Sequence, residues 1–349
     1  MQGSFNRVQA VLSGKRPDRL PFFDNIHNDA VLAHFHGRSV EPGDEAGGLH
    51  AVTEALDGTH AGGYSPGVPR EYTDAYGRQI KRTRWTTWTS NRRYASAEAF
   101  VASQHAEFAA APADAPVDFA GNEWYLCARA LFDRVGSSLY MPLGGPCSMF
   151  MACYGALGLE QFSYFLADEP AIFSEILDRQ MIHGCRWAEC LPKDDPFPAV
   201  MLADDLAFKS GTIVRPEWMR QEYFPRLTRL ISAIKRRGKH VIFHSDGNLN
   251  AVVDDLVAAG IDALNPIETA SGMNLADLHR RHPQLVLMGG IPVTDVLAIG
   301  TPATVRDAVV RAIEDTEGRS LIGSDSEIAN SVPLANFLAL REAVLTYAV

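Results

Sequence analysis

Short apolar segments, rich in β-branched residues, alternate with amphipathic segments through the second half of the chain. This alternation is typical of a parallel sheet covered by helices, because a helix returns the chain after each strand to the same starting edge. Nearly every position in each apolar segment is apolar, as expected when both faces of a strand are buried. The pattern predicts strands at Ala199–Ala207, Lys239–His244, Ala263–Ile267, Leu285–Gly289 and Ser320–Gly323.

The segments between these strands carry apolar residues at helical spacing. Pro216–Arg237 is followed by Gly238 and Leu249–Ala259 by Gly260, and glycine commonly follows the last helical turn. Further helices are predicted at Asn274–Arg281, Pro302–Glu314 and Pro333–Tyr347, the last two beginning with a proline that suits the first turn.

The first half of the chain predicts three more strands, at Leu20–Ile26, Gly58–Gly62 and Leu139–Leu143. An N-terminal helix is predicted before Leu20–Ile26. The segment 70–89 differs, because polar residues alternate there with aromatic or β-branched ones, as in an antiparallel hairpin. The aromatic or β-branched residues of this segment are Tyr72, Tyr76, Ile80, Trp85 and Trp88.

These elements predict an α/β fold: one (β/α)₈ TIM-barrel domain over residues 1–349, with an antiparallel hairpin inserted at 70–89. An open doubly wound sheet is the alternative, but no GxGxxG motif follows the first strand.

Composition narrows the class of protein. A net charge of −10 disfavours nucleic acid or an anionic membrane as the main partner. Five cysteines without CxxC spacing give neither a disulfide framework nor a zinc-finger pattern. The N-terminal residues are polar, unlike a signal peptide, and no apolar run reaches the ~20 residues of a membrane-spanning helix. We expect a cytoplasmic protein.

Polar residues cluster just after the predicted strands, and in a barrel these positions meet at one end, where active sites lie. Such a set can bind a divalent metal through oxygen and nitrogen ligands, or act as acid and base. The catalytic candidates are Asp204, Asp205, His244 and Glu268; the substrate-binding candidates are Asp24, His27, Asn28, Asn248 and Asn265; the candidate metal ligands are His244, Asp246 and Asp325.

Structural interpretations compete for several of these residues. Asp246 and Asn248 flank Gly247 and suit a cap for the following helix, and one aspartate of the Asp204-Asp205 pair suits a loop cap. Seven further histidines are interpreted as surface or loop residues: His34, His36, His50, His60, His105, His279 and His282.

Several motifs together resemble the uroporphyrinogen decarboxylase superfamily. They are the opening run from Arg7 to Pro21, Asp204-Asp205, the run from His244 to Asn248, Gly260-Ile261-Asp262 with Asn265-Pro266, and the run from Val332 to Asn336. The resemblance extends almost from end to end and implies a (β/α)₈ barrel, often a homodimer, with a deep cleft at the strand ends.

The resemblance implies two chemistries. The decarboxylases use no cofactor and hold a polycarboxylate substrate with arginines of an RQAGRY motif, which the first strand here lacks. The methyltransferase branch moves methyl groups between corrinoid proteins and small acceptors, and binds zinc through an H-x-C motif and a later cysteine. Here His244 matches the histidine, whereas Asp246 and the Ser324–Asp325 region replace the cysteines.

Three hypotheses follow. The first is a methyltransferase-like enzyme acting on a small molecule, with zinc or another divalent metal near His244, Asp246 and Asp325 and a corrinoid protein as partner. The second is a cofactor-free decarboxylase in which Asp204 or Asp205 stabilises the reacting intermediate. The third is a barrel that binds a small ligand or a corrinoid protein without turnover.

Overall fold

The computed structural model describes residues 2–60, 66–74, 77–146 and 148–347. The described strands are β1 Ile26–His27, β2 Arg70–Thr73, β3 Gln79–Arg82, β4 Thr87–Thr89, β5 Leu143–Gly144, β6 Ala199–Ala203, β7 Ala207–Phe208, β8 Gly211–Thr212, β9 His240–His244, β10 Ala263–Ile267, β11 Val286–Ile291, β12 Ser320–Ser324 and β13 Ile328–Ala329.

Helices surround the strands, and two π-helical segments occur at Met219–Tyr223 and Val293–Leu297. Within the described residues, no helix combines the length and the apolar character that crossing a bilayer requires. The described α-helices are α1 Ser4–Leu12, α2 Asp29–His36, α3 Glu45–Ala55, α4 Ala97–Ala110, α5 Glu123–Val135, α6 Met151–Tyr154, α7 Leu159–Asp168, α8 Pro170–Cys190, α9 Pro216–Trp218, α10 Phe224–Lys235, α11 Val253–Ala259, α12 Leu275–Arg281, α13 Pro302–Asp315 and α14 Leu334–Thr346.

The parallel strands form a closed ring. Six of them pair in the order β12-β11-β10-β9-β6-β5. Single parallel bridges close the gap between the two outer strands: Phe22 pairs with Ile322, Phe23 with Gly58, and Gly58 with Tyr140. The predicted (β/α)₈ barrel is therefore confirmed.

Glycine at position 58 is a steric requirement of this closure. A Cβ atom there would lie 2.5 Å from the ring of Phe23 and 3.2 Å from the carbonyl oxygen of Tyr140. The second barrel position, predicted at Gly58–Gly62, is represented by Gly58 alone, and residues 61–62 of that prediction lie outside the described residues.

The predicted strand Ala199–Ala207 is too long, because β6 ends at Ala203 and Asp204 turns away to bind a neighbouring loop. The chain then forms the small antiparallel hairpin β7–β8. The helix predicted over Pro216–Arg237 is present as α9, a π-helical turn and α10, and ends at Lys235.

Alternate strand residues fill the barrel interior. Phe23, Tyr140, Met201, Ile242 and Leu321 belong to one buried apolar cluster together with Val8, Val11 and Leu12 of α1. Side chains of a strand alternate between its two faces, so the residues two positions further along the strands face the same interior, nearer the carboxyl ends. Helix α1 therefore closes the amino-terminal pole, and polar residues occupy the opposite pole.

The segment 70–89 forms a three-stranded antiparallel sheet, β2-β3-β4, consistent with the inserted antiparallel element predicted there. Tyr76, one of the residues that suggested it, lies outside the described residues. The loop between β3 and β4 carries Trp85, whose indole stacks on the imidazole of His27 with ring centroids 5.2 Å apart. Two hydrogen bonds from Arg84 Nε to the Asp29 carboxylate, of 2.8 and 2.9 Å, hold this loop against the barrel.

Candidate active site

The carboxyl ends of the barrel strands meet at one pole, here called the mouth, where Ala203, His244 and Asn265 lie side by side on paired strands. Ala203 ends β6 and is exposed although the other four residues of that strand are buried. The neighbouring strand β9 ends in the half-buried His244, and Asn265 in β10 is paired beside it. A small side chain among larger polar ones leaves room for a ligand at this position.

His244 is held by Asn265. The imidazole Nδ1 lies 2.8 Å from the carboxamide Oδ1 of Asn265, which is buried. Since that oxygen only accepts hydrogen bonds, Nδ1 carries the proton and the lone pair is on Nε2. This nitrogen lies 4.0 Å from a carboxylate oxygen of Asp246. The tautomer is the one that a metal ligand or a general base requires.

Asp205 completes a group with these two residues. Its Oδ1 accepts a hydrogen bond of 3.1 Å from the backbone N–H of Asp246, which joins the loops after β6 and β9. One potential ligand atom from each of Asp205, His244 and Asp246 lies within 4.8 Å of the others. We call these three residues the mouth triad.

The mouth is electrostatically crowded. The pKa of Asp246 is raised, first by its desolvation within the mouth and then by the charges of Asp205, Glu268 and Glu327, while His244 opposes the rise. None of the ion pairs or hydrogen bonds found in the described residues connects these carboxylates to a lysine or an arginine. A bound cation would relieve this repulsion.

The donor set of the mouth triad is two carboxylates and one imidazole, which suits a divalent cation of hard or intermediate character. A thiolate-rich zinc site does not fit, because the four cysteines of the described chain lie in helices: Cys127 in α5, Cys153 in α6, and Cys185 and Cys190 in α8. Cys147 lies outside the described residues.

Asp325, a predicted metal ligand, is not part of this group. It is buried, and its Oδ1 accepts a hydrogen bond of 2.9 Å from the backbone N–H of Val293, at the start of a π-helical segment. Burial raises its pKa to about 6, and the charge of Glu268 adds to the rise. The structure therefore places Asp205, rather than Asp325, with His244 and Asp246.

Glu268 supports the loop that carries Asp246. Its two carboxylate oxygens accept hydrogen bonds of 2.7 Å from the backbone N–H of Gly247 and 2.6 Å from the hydroxyl of Ser271. Gly247 has a φ of +91°, and a Cβ atom there would collide with the backbone of Ala207. Asn248 accepts a hydrogen bond of 3.1 Å from the backbone N–H of Asn250, as expected for a turn before a helix.

Asp204 binds neighbouring loops. Its carboxylate accepts hydrogen bonds of 2.7 Å from the backbone N–H groups of both Phe150 and Met151, and one of 2.8 Å from the hydroxyl of Tyr223. It is buried, which raises its pKa to about 7 in spite of these donors. The contacts describe a structural anchor for α6, and no oxygen of Asp204 is directed to the mouth triad.

Asp24 and Asn28 also make structural contacts. Asp24 accepts hydrogen bonds of 2.7 Å from both the backbone N–H and the hydroxyl of Ser324, which fasten the first barrel segment to β12. Burial raises the pKa of Asp24 to about 7. Asn28 caps α2 by accepting from the backbone N–H of Val31, and donates both amide hydrogens to the carbonyls of Ala329 and Val332.

His27 lies at the edge of the mouth between Trp85 and Glu327. Its Nδ1 is 3.5 Å from Oε1 of Glu327, and this contact, together with the partial burial that opposes it, leaves the pKa of Glu327 lowered. Because the indole of Trp85 stacks on His27, the loop between β3 and β4 lies at the edge of the mouth.

His60, interpreted from the sequence as a surface or loop residue, lies in a loop two residues after Gly58 and is half-buried beside His244. Its ring lies 5.7 Å from that of His244, and its Nδ1 is 3.1 Å from the carboxamide nitrogen of Asn25. Burial lowers its pKa to about 3, and the nearby His244 lowers it further. The signal was present in the sequence, because His60 lies two residues after Gly58, on the same side of a predicted strand.

Replacing Asn265 with leucine is expected to weaken Zn²⁺ binding by the mouth triad about 10- to 100-fold, the usual cost of losing the partner that orients a metal-binding histidine. Replacement with aspartate keeps an acceptor opposite Nδ1 of His244 and is expected to retain the affinity. Calorimetric titration of both variants tests this. Equal losses in the two variants would contradict the orienting role of Asn265.

A methyltransferase from Methanosarcina mazei superposes on this chain with a TM-score of 0.68 over 98% of both chains at 17% sequence identity. A B12-independent methionine synthase from Shewanella sp. W3-18-1, solved in complex with selenomethionine, gives a TM-score of 0.44 at 12% identity, over 93% of this chain and 98% of that one. Among curated proteins, none matches this sequence significantly.

The sequence itself matches one family model. The match covers residues 127–347, which include β5 to β13 and therefore the whole mouth triad. This is more than half of the chain, and the closed parallel barrel is in keeping with it. The chain belongs to the uroporphyrinogen decarboxylase (URO-D) family.

Proposed function

We propose that this chain is an enzyme that transfers a methyl group between a small molecule and a methyl carrier, with a divalent cation bound by Asp205, His244 and Asp246. The observation that carries the proposal is the mouth triad, in which three ligand atoms from two adjacent strands lie within 4.8 Å of one another. Membership of the family and the fold shared with a methyltransferase support the choice of reaction.

Neighbouring residues fix the tautomer of His244 and the positions of the ligand atoms of the triad. Asn265 fixes the proton of His244 on Nδ1 and leaves Nε2 free. Glu268 holds the Gly247 turn, and the Asp205–Asp246 hydrogen bond holds the two loops together. The ligands are therefore positioned before a cation arrives, which favours affinity because little side-chain entropy is lost on binding.

A bound divalent cation would supply Lewis acidity, which lowers the pKa of a coordinated thiol, hydroxyl or water. Ala203 and the half-buried His60 border the space beside the triad, where a small acceptor would lie. The neutral imidazole of His60, with its pKa lowered to about 3, can donate or accept a hydrogen bond there without adding positive charge.

The acidic mouth is unsuited to a substrate with many carboxylates. Such a substrate needs cationic partners, and the contacts of Asp205, Asp246 and Glu268 in the described chain include none. We therefore favour methyl transfer over decarboxylation of uroporphyrinogen. A methyl carrier of corrinoid type, presented by a partner protein, is part of the proposal.

The test is an assay with methylcobalamin as methyl donor and 2-mercaptoethanol as acceptor, on protein purified without chelator and analysed for metal. The methyl group passes to the thiol sulfur, the thiol proton is released, and cob(I)alamin remains. We expect a bound metal and a loss of methylcobalamin absorbance that chelation and His244→Ala both abolish. Metal-free protein with full activity would refute the metal assignment, and carbon dioxide release from uroporphyrinogen would replace the reaction with a decarboxylation.

A further inference from the structure

A cavity lies at the pole opposite the mouth. Its volume is about 270 Å³, and it is bounded by the loop after α1 and by the segments that lead into β11 and β12. We call it the basal cavity. Val11, Leu285 and Val286 line it and are buried, so they form an apolar floor, whereas Lys15, Arg16 and Arg319 line it and are exposed, so they form a cationic rim.

The three cations of the rim are available for a ligand. In the described part of the chain, none of them makes an ion pair within 4.0 Å. Asp18, the carboxylate nearest to Arg16 in sequence, is bound by Arg7 with an Nε–Oδ1 distance of 2.6 Å. One guanidinium nitrogen of Arg319 donates to the carbonyl of Pro283 at 3.2 Å, which orients the group and leaves its other N–H groups free.

Glu317 is the one carboxylate among the described residues lining the basal cavity. Its Oε2 lies 3.9 Å from Nε2 of His279 on α12, and its side chain is 82% exposed. The local excess of positive charge contrasts with the net charge of −10 for the whole chain. An anion at the rim would meet three cations from two separate segments of the barrel base, the loop after α1 and the segment before β12.

We propose that the basal cavity binds a small organic anion, with an apolar body against Val11, Leu285 and Val286 and an anionic group among Lys15, Arg16 and Arg319. A concave site with an apolar floor and a few polar groups is the usual form of a small-molecule site. The volume of the basal cavity lies just below the usual range for drug-sized ligands, which suits a small ligand. Guanidinium groups bind phosphate and carboxylate oxygens through paired N–H donors. This site is separate from the mouth and does not depend on the proposed reaction.

Titration calorimetry with phenyl phosphate tests this proposal. We expect saturable binding with a Kd of about 1 mM or tighter. Inorganic phosphate, which cannot use the apolar floor, is expected to bind at least ten times more weakly. Arg16→Ala/Arg319→Ala should weaken phenyl phosphate binding at least tenfold. Because both arginines are exposed, the double variant should fold normally, as a thermal melt would verify.

Arg311→Ala is the matched control, since Arg311 is exposed on α13 and does not line the basal cavity. This variant should bind phenyl phosphate as the unmodified chain does. Absence of saturable binding would overturn the proposal. So would equal affinities for phenyl phosphate and inorganic phosphate, or an unchanged affinity in the double arginine variant.

Discussion

Asp205→Asn should reduce the affinity for Zn²⁺ at least about 100-fold. Losing a residue that only orients a metal ligand already costs up to about 100-fold, and Asp205 is proposed as a ligand itself. The carboxylate oxygen that lies among the ligand atoms of His244 and Asp246 would become part of a neutral amide. The stability should change by less than about 1 kcal/mol, because Asp205 is half-buried and an asparagine Oδ1 can still accept the hydrogen bond from Asp246.

Calorimetric Zn²⁺ titration and a thermal melt of Asp205→Asn measure these two effects separately. Asp307→Asn is the matched control, because it removes the same charge from an exposed position of α13 distant in sequence from the triad. It should leave Zn²⁺ affinity unchanged. An Asp205→Asn protein that binds Zn²⁺ as tightly as the unmodified chain would remove Asp205 from the ligand set.

Asp204→Asn, one residue earlier, should lower the stability and leave the Zn²⁺ affinity unchanged. Both oxygens of Asp204 accept hydrogen bonds from backbone N–H groups, those of Phe150 and Met151. An asparagine would direct its own N–H toward one of these donors in a buried position. We expect the free energy of unfolding to fall by about 3 kcal/mol, with Zn²⁺ affinity retained in the folded fraction.

The loss of unfolding free energy in Asp204→Asn should depend on pH. The pKa of the carboxyl group is raised from 3.8 to about 7 in the folded chain, chiefly by burial. A raised pKa means that the folded state binds the proton more tightly, so the stability from this group is present below pH ~4 and is lost as the pH rises through about 7. The stability difference between the unmodified chain and Asp204→Asn should therefore be larger at pH 5 than at pH 8.

Urea denaturation of the two proteins at pH 5 and at pH 8 tests this dependence. Tyr223→Phe is a milder comparison, because it removes one of the three hydrogen bonds and leaves both backbone donors satisfied. We expect it to cost about 1 kcal/mol. If Asp204→Asn proves as stable as the unmodified chain at both pH values, Asp204 does not anchor α6.

Together these variants separate two adjacent aspartates that the sequence treats alike. Asp204 is buried and bound by three donors, whereas Asp205 shares the mouth with His244 and Asp246. A chain modified only at Asp205 would keep its fold and lose the cation. A chain modified only at Asp204 would keep the ligands and lose stability, which tests the proposed division of roles without knowledge of the substrate.

The amino-acid sequence by itself determined the barrel and the end at which the polar residues meet. Strand and helix periodicities are local properties, and a parallel arrangement brings every strand end to one pole, so the approach of His244, Asp246 and Asp205 was predictable. Contacts between distant loops decided the rest. Asp204 accepts hydrogen bonds from the backbone N–H groups of Phe150 and Met151, and Asp325 accepts one from that of Val293. Asn28 donates to the carbonyls of Ala329 and Val332.

His60 is a residue that the sequence did not assign to the mouth and that the tertiary structure places there. The strand predicted at Gly58–Gly62 is reduced, among the described residues, to a single bridged glycine, so the two-residue spacing from Gly58 to His60 did not by itself place the imidazole at the mouth. Only the closed ring, in which Gly58 fits between Phe23 and Tyr140, brings His60 beside His244. Side-chain roles at the mouth therefore depend on which donors the tertiary structure brings within hydrogen-bond distance, and a sequence pattern does not contain those distances.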